Sequence, residues 1–501
     1  QMARWQQAQT ATEPIEVVTL AEAIENAKDK SKGKKTWSYE AINVRDFAFN
    51  SSRRLVWDAM AADVEGKKVM CMSYYGKEAY PIYKKYSTKA VYHTIKTYSK
   101  FTIAYPYPVA ISVEASIGME YPMIAMNYGR AEKDGTYSEA TKYGAIGVII
   151  HEVGHNFFPM IINSDERQYW WMDEGLNTFV QFLTEQEFDN NYPSRRGPAH
   201  LIADYMKLPK DMLEPIMTKG DNVASVGSNA YAKAATGLNI LRETIMGREL
   251  FDYAFKEYAR RWAFKHPTPN DLFRTMEDAS AVDLDWFWRG WYFGTDPVDI
   301  AIDSVKWFRL DANKNLASMK APEFETISKV RNRDDKNLIY YTNTDTTLRD
   351  YYYYNRAADA KMFQDMAQQQ LDAQKDNANY AAWEDKHFYE LQFSNKGGMV
   401  MPIIVEWTFT DGSKEVDRIP VGIWKLNEQK VTKLFAKNKE VVGIKLDPMR
   451  ETADINESNG MWPVREMPSR FQLFKGASTI SGLGAPRGGG PSINAMQKAK
   501  K

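Results

Sequence analysis

The sequence has little cysteine, no net charge and no long apolar run. Cys71 is the only cysteine among 501 residues, so an intrachain disulfide is excluded. The 65 basic and 65 acidic residues cancel, which argues against nucleic acid or an anionic membrane as a partner. We find no stretch of ~18 apolar residues that could cross a bilayer as a helix.

A leader of basic and then apolar residues is also missing at Gln1. We therefore expect any signal peptide to be removed or to lie upstream. The single cysteine leaves the redox compartment open; we expect a periplasmic, cell-envelope or secreted protein, with a cytoplasmic location as the alternative.

Histidine is scarce, yet two of the six histidines stand four residues apart, in His151-Glu152-Val153-Gly154-His155. Positions four apart lie one above the other on an α-helix, so the two imidazoles can face one point. The apolar run at 146–150 indicates that this helix is buried in the protein core. The alternative interpretation is a core helix whose histidines only make hydrogen bonds.

Two carboxylates complete the pattern expected of a catalytic metal site. Glu152 lies about a third of a turn from the histidines, where it can reach a water without binding the metal. Eighteen residues separate His155 from Glu174, enough for the chain to return on a second helix with Glu174 as third ligand. Two imidazoles and one carboxylate suit one Zn²⁺ per chain, with a fourth position left open for catalysis.

A third motif, Gly118-Met119-Glu120-Tyr121-Pro122, precedes the first histidine by about thirty residues. In this order and spacing, the three motifs resemble those of the gluzincin zinc aminopeptidases, the family of aminopeptidase N and leukotriene hydrolase. The resemblance implies that His151, His155 and Glu174 bind zinc, that Glu152 is the general base, and that Glu120 binds the amino terminus of a peptide substrate. It also implies that Tyr231, in Tyr231-Ala232-Lys233-Ala234, stabilises the oxyanion, although the family has glycine where this chain has Ala234.

The residues beside Glu120 suit the same role. Gly118 would let a substrate backbone come close, and Met119 and its neighbours could pair with that backbone as an added strand. A fixed anion near the metal would attract the ammonium group of the substrate. An enzyme that removes one residue at a time must recognise this group at a fixed distance from the scissile carbonyl. The alternative is a solvated loop acid or an ion-pair partner.

The pattern of apolar residues predicts an α+β protein in several parts. We expect a mainly helical, thermolysin-like zinc metallopeptidase domain over 37–298, with strands at 44–49 and 68–74 and a helix at 86–101. From about residue 299 the period changes to alternation, which predicts a β-sandwich domain over 299–475 with a helical insertion at about 355–385. Residues 1–36 are polar and predict an arm or linker, and 476–501 predict a flexible tail.

The resemblance also indicates that a domain is missing at the N-terminal side of this chain. Family members usually carry a large N-terminal β-domain, so we expect this chain to be the C-terminal part of a longer bacterial-type member, or a reduced enzyme with an open cleft. Peptides are the expected substrates, and the oligomeric state is left open. Two alternatives remain: an endopeptidase or other zinc hydrolase on the same site, or a non-catalytic component of a secreted or envelope assembly.

Overall fold

The computed structural model describes residues 1–310, 325–355 and 382–464, together with single positions between 361 and 372 and at 496. Within these residues, none of the helices is both long and apolar enough to cross a bilayer. The expected α+β class is confirmed, because a mixed sheet and a group of helices are followed by two antiparallel sheets. One large apolar core runs through these parts.

A six-stranded sheet begins the fold, in the order β1-β2-β3-β4-β6-β5. Strands β3, β4 and β6 run parallel, and the remaining pairs are antiparallel. β5 is an edge strand of this sheet, so its outer side is open to an added strand. The strands are β1 (Ile15–Val18), β2 (Val56–Val64), β3 (Lys67–Tyr75), β4 (Val109–Glu114), β5 (Met119–Tyr121) and β6 (Ile124–Asn127).

Helices cover the sheet and build the region around the histidines. α3 contacts the sheet on one side and α4 and α5 on the other, with Ile82, Val91 and Ile95 fully buried. At the start of α9, the backbone N–H and the hydroxyl of Thr268 both donate to Asp271 Oδ2, and Pro269 is the first helical residue. The helices of residues 1–290 are α1 (Met2–Ala8), α2 (Leu20–Asn26), α3 (Tyr80–Phe101), α4 (Glu139–Gly154), α5 (Leu176–Phe188), α6 (Ala203–Met206), α7 (Ala234–Ile240), α8 (Arg248–Trp262), α9 (Pro269–Ser280) and α10 (Asp285–Phe287).

Two small antiparallel sheets follow from residue 300 onward, ordered β11-β8-β7 and β10-β9-β12-β13. The ring of Trp407 in one sheet contacts Tyr389 and Phe435 in the other, so the sheets pack face to face. Short helices α11 (Ile327–Asp334), α12 (Tyr341–Thr344) and α13 (Tyr351–Tyr354) lie between β7 and β8. The strands are β7 (Ile300–Arg309), β8 (His387–Asn395), β9 (Ile403–Phe409), β10 (Lys414–Ile419), β11 (Lys430–Lys437), β12 (Val441–Leu446) and β13 (Met461–Trp462).

Two expectations for the N-terminal region are wrong. Residues 1–36 do not all form a polar arm, because β1 pairs with β2 and Ala8 and Val17 are buried in a small core of their own. The strand expected at 44–49 is irregular backbone instead. The helical insertion at 355–385 lies largely outside the described residues and the tail at 476–501 almost wholly so, and these two remain predictions.

Candidate metal and catalytic site

Helix α4 brings the two histidines together as their spacing predicts. The side chain of Ser138 caps the helix by accepting from the backbone N–H of Thr141. Both imidazoles are buried, and their Nε2 atoms lie 3.1 Å apart. The site is therefore built at the C-terminal end of a helix whose other faces are in the core.

Glu174 reaches these nitrogens from a second segment. It lies in a π-helical turn, Trp171–Gly175, that leads directly into α5. Its Oε2 atom is 3.0 Å from His151 Nε2 and 3.4 Å from His155 Nε2. Donor atoms bound ~2.0–2.1 Å from one zinc ion lie ~3.3 Å apart along the edges of a tetrahedron, so this triangle fits zinc.

The opposite ring nitrogens also fit metal binding. Nδ1 of His151 is 2.8 Å from Gln181 Oε1, and Nδ1 of His155 is 2.7 Å from the carbonyl oxygen of Phe158. These acceptors hold the proton on Nδ1 and leave the Nε2 lone pairs facing each other and Glu174. Two neutral imidazoles with converging lone pairs would repel one another without a cation between them.

Negative charge is concentrated at this point. Glu120, His155 and Asp173 form a second group whose potential ligand atoms lie within 4.8 Å of one another. Burial alone would lower the pKa of His155, but the carboxylates of Glu120, Asp173 and Glu174 raise it well above its usual value. A divalent cation would offset this excess of buried negative charge.

Glu152 is buried beside the triangle without being part of it. Burial raises the pKa of its carboxyl group to about 7, although the two histidines act in the opposite direction. A Cβ atom on Gly118 would overlap Glu152 Oε1. Glycine at 118 is therefore required by the close approach of the strand to this carboxylate.

Tyr231 faces the same point from a second π-helical turn, Gly227–Lys233. Its ring stacks on His151 at a centroid distance of 5.7 Å. Burial, followed by the charge of Glu174, raises the pKa of its phenol well above the usual value, so the phenol keeps its proton and can donate it in a hydrogen bond. Ala234 packs against Gly175, where a Cβ on the glycine would collide with it.

Glu120 and Met119 lie on the edge strand β5. A cavity of about 530 Å³ is lined by Gly118, Met119 and Glu120 together with the metal triad, Glu152 and Tyr231. Within the described residues, no hydrogen bond or ion pair engages the Glu120 carboxylate. The structure thus brings all eight predicted site residues to one cleft.

Sequence reasoning missed three residues of this site. Asp173 Oδ1 lies 2.8 Å from His155 Nδ1, and its position next to Glu174 could have indicated it. Gln181 follows Glu174 by seven residues, the spacing of one helix face. Arg196, whose Cζ lies 4.4 Å from the Tyr231 ring centroid, is in an irregular segment where no sequence pattern predicts its place.

Comparisons with known proteins agree with this geometry. Residues 86–291 match the peptidase family M1 domain. Glutamyl aminopeptidase of Sus scrofa is 26% identical over 181 residues, which cover 34% of this chain and 19% of the pig protein. A probable aminopeptidase 1 of Sulfurisphaera tokodaii is 24% identical over 190 residues, covering 35% of this chain and 24% of that protein.

Among solved structures, Legionella pneumophila aminopeptidase A in complex with aspartic acid superposes with a TM-score of 0.51 and 11% sequence identity. The superposition covers 80% of this chain and 38% of the Legionella chain, and it shows a shared fold. The chain thus spans only about a fifth to a quarter of the curated relatives described above.

Proposed function

We propose that this chain is a zinc-dependent aminopeptidase, because residues 86–291 match the peptidase family M1 domain. The observation that carries the proposal is the position of Glu120. Its carboxylate lies within 4.8 Å of a ligand atom of His155 and has no partner in the described part of the chain. A substrate ammonium bound there would place the first peptide bond, and no later one, at the metal site.

The metal would be held by His151, His155 and Glu174, whose donor atoms are 3.0–3.4 Å apart. Bound zinc would act as a Lewis acid toward the scissile carbonyl and the attacking water. Gln181 and the Phe158 carbonyl oxygen orient the two imidazoles. Such supporting contacts keep each ring in the tautomer that a metal requires.

Glu152 would take a proton from the attacking water and pass it to the departing amine. Burial raises the pKa of Glu152 to about 7, close to that needed of a group that accepts and then donates a proton near neutral pH. Because Gly118 has no side chain, the Glu152 carboxylate can lie directly against the backbone that leads into β5. The proton carrier is thus fixed between the metal site and the substrate strand.

Tyr231 would donate a hydrogen bond to the oxygen that becomes negative during attack. Its raised pKa keeps the phenol in the donating form near neutral pH. Its stacking on His151 fixes it before substrate arrives, so little reorganisation is needed. Losing one donor of this kind typically reduces turnover by ~100- to 1,000-fold.

The substrate backbone would lie along β5. Met119 pairs with β6 on one side, and no other described strand pairs with the opposite side of β5, where an extended peptide could bind. Glu120 would then bind the amine at the end of that added strand. Binding of the amino terminus would thereby fix which peptide bond lies at the metal site. This selection of the first bond distinguishes an aminopeptidase from an endopeptidase.

The test combines substitution of Glu120 with acetylation of the substrate. Glu120→Ala should lower kcat/KM for a free-amine peptide by about 30-fold or more, since losing one partner of a desolvated charge pair costs ~2–5 kcal/mol. N-acetylation of the peptide should have a similar effect on the wild-type enzyme. It should change little in the variant, because both alterations remove the same contact.

Glu152→Gln is the control for the chemistry. It should bind zinc in full while turnover falls by ~100-fold or more, because an amide preserves the shape but cannot accept a proton. Metal content is measured by elemental analysis and turnover by release of the first amino acid. Equal cleavage of free and acetylated peptides, mainly at internal bonds, would instead identify an endopeptidase.

A further inference from the structure

The cleft has two ends that meet at the metal site. The end described above contains Glu120 and has a volume of about 530 Å³. A second end of about 480 Å³ is lined by Arg195 and Arg196. His151, Glu152 and Tyr231 line both ends, so a substrate whose scissile bond lies at the metal site would extend into both.

Arg196 places a positive charge in the second end of the cleft. Its side chain is only partly exposed, and its guanidinium lies over the Tyr231 ring with Cζ 4.4 Å from the centroid. In the part of the chain that the structure describes, it makes no hydrogen bond or ion pair. The arginine side chain has five donors and no acceptor, so the guanidinium of Arg196 is available to an acceptor that enters the cleft.

The other charged groups at this end do not supply that acceptor. Glu185 accepts hydrogen bonds from Gln181 Nε2 at 2.8 Å and from Ser194 Oγ at 2.5 Å. Burial lowers the pKa of the Arg196 guanidinium, and the charges of Glu174 and Glu185 oppose this only in part; neither carboxylate is within ion-pair distance of it. Arg195 is exposed at the rim, so Arg196 is the deeper of the two cations.

On the basis of the proposed aminopeptidase function, we infer that Arg196 binds a carboxylate on the C-terminal side of the scissile bond. An arginine fork matches a carboxylate in geometry and charge. The steps of 5.7 Å from His151 to Tyr231 and 4.4 Å from Tyr231 to Arg196 keep the guanidinium within ~10 Å of the His151 ring, which is two to three residues of extended chain. The acceptor is therefore the terminal carboxylate of a di- or tripeptide, or an acidic side chain just after the scissile bond.

Two pairs of substrates distinguish these two sources. The first pair is a di- or tripeptide with a free carboxyl terminus and the same peptide as its terminal amide. The second pair has glutamate or glutamine after the scissile bond, both as terminal amides. We expect wild-type kcat/KM to favour the carboxylate member of at least one pair by about 10- to 100-fold, as for a charge-assisted contact in a partly desolvated site.

Arg196→Gln should reduce that preference to about twofold or less, while Arg196→Lys should restore part of it because the charge remains without the fork. Arg195→Gln is the matched neighbour, and its carboxylate preference should stay at the wild-type ratio. The ratio is the readout because substitution of Arg196 can also disturb the Tyr231 ring and slow every substrate alike.

A wild-type ratio near one in both pairs overturns the inference, whatever the variants do. So does a preference that survives in Arg196→Gln, or one that is lost in Arg195→Gln instead. Hydrolysis of leucine p-nitroanilide, which has no carboxylate, separates this failure from a failure of the proposed function. If the anilide is cleaved and the ratios are one, only the role of Arg196 is wrong; if neither the anilide nor any peptide is cleaved, the aminopeptidase proposal fails first.

Discussion

At the scale of single residues, the site depends on a glycine. Gly118 directly precedes β5, and a Cβ atom there would meet the carboxylate of Glu152 and the side chain of Val148. Any side chain at this position would have to displace either the strand or the carboxylate. The substrate-binding strand and the proton carrier therefore share one contact.

We predict that Gly118→Ala lowers kcat by about 100-fold, because a shift of roughly 1 Å in a catalytic group can have an effect of that size. Zinc content should stay stoichiometric, since Gly118 does not contact the three metal-binding side chains. Gly422→Ala is the control, because a Cβ there would meet no atom within 4 Å. Full activity in Gly118→Ala would show that Glu152 can act from another position.

The sequence predicted these residues unequally, for a physical reason. His151, Glu152 and His155 are set by helix periodicity, which is a local property. Gly118 could be connected with the substrate but not with Glu152, because the two are far apart in sequence and meet only through the packing of α4 on β5. Arg196 could not be predicted at all, since its place over Tyr231 is set by an irregular segment.

At the scale of elements, the pairing of α4 with α5 decides how the metal is held. Gln181 on α5 accepts from His151 Nδ1 on α4, and its Nε2 donates to the carbonyl oxygen of Gly147 on the same helix at 3.3 Å. Asn177, one turn earlier on α5, donates to the carbonyl oxygen of His151 at 2.8 Å. The metal-binding helix is thus held at its backbone as well as at its side chain.

We predict that Gln181→Leu weakens zinc affinity by about 10- to 100-fold, the usual effect of removing a group that supports a histidine ligand. Competition with a zinc chelator measures the affinity directly. Gln186→Leu, on the same helix but exposed, should leave the affinity unchanged. An unaltered affinity in Gln181→Leu would mean that His151 binds zinc equally well without the hydrogen bond from its Nδ1 to Gln181.

Elements were predicted well where their signals are local. The strand expected at 68–74 is β3 (Lys67–Tyr75), and the helix expected at 86–101 is the larger part of α3 (Tyr80–Phe101). The strand expected at 44–49 is absent, because Phe47 and Phe49 are exposed and no neighbouring strand pairs with them in the described residues. The opposite error was made at β1, which is short and is stabilised by pairing with β2, a contact between segments about forty residues apart.

At the scale of the whole molecule, a partly buried acid holds β7, the first strand of the C-terminal sheets, to the segment that precedes β13. Asp454 accepts from the backbone N–H of Ile300 at 2.9 Å and from that of Asn456 at 2.7 Å. Burial raises its pKa from 3.8 to about 6 despite these two hydrogen bonds. The carboxyl group therefore holds a proton in the folded chain at a pH where it would lose it in the unfolded chain.

This shift predicts a loss of stability as pH rises. Below about pH 4 the group is protonated in both states; between pH 4 and 6 the folded state binds more protons, so the free energy of unfolding falls by up to about 3 kcal/mol. Asp454→Asn should abolish this part of the pH dependence. Urea unfolding of both proteins at several pH values measures it, and the comparison concerns the slopes because the amide also alters the hydrogen bonds. Parallel slopes would contradict the prediction.

The two π-helical turns that carry Glu174 and Tyr231 position side chains of the site without being needed for the overall architecture. Glu174 and Tyr231 both lie in turns wider than an α-helix needs, and such turns often mark a residue inserted into an ordinary helix. Deleting one residue from either turn would restore regular winding and rotate the side chains on one side of it by ~100° relative to the other. A single codon lost could thus produce an inactive descendant with the same architecture, and a single codon gained could reverse the change.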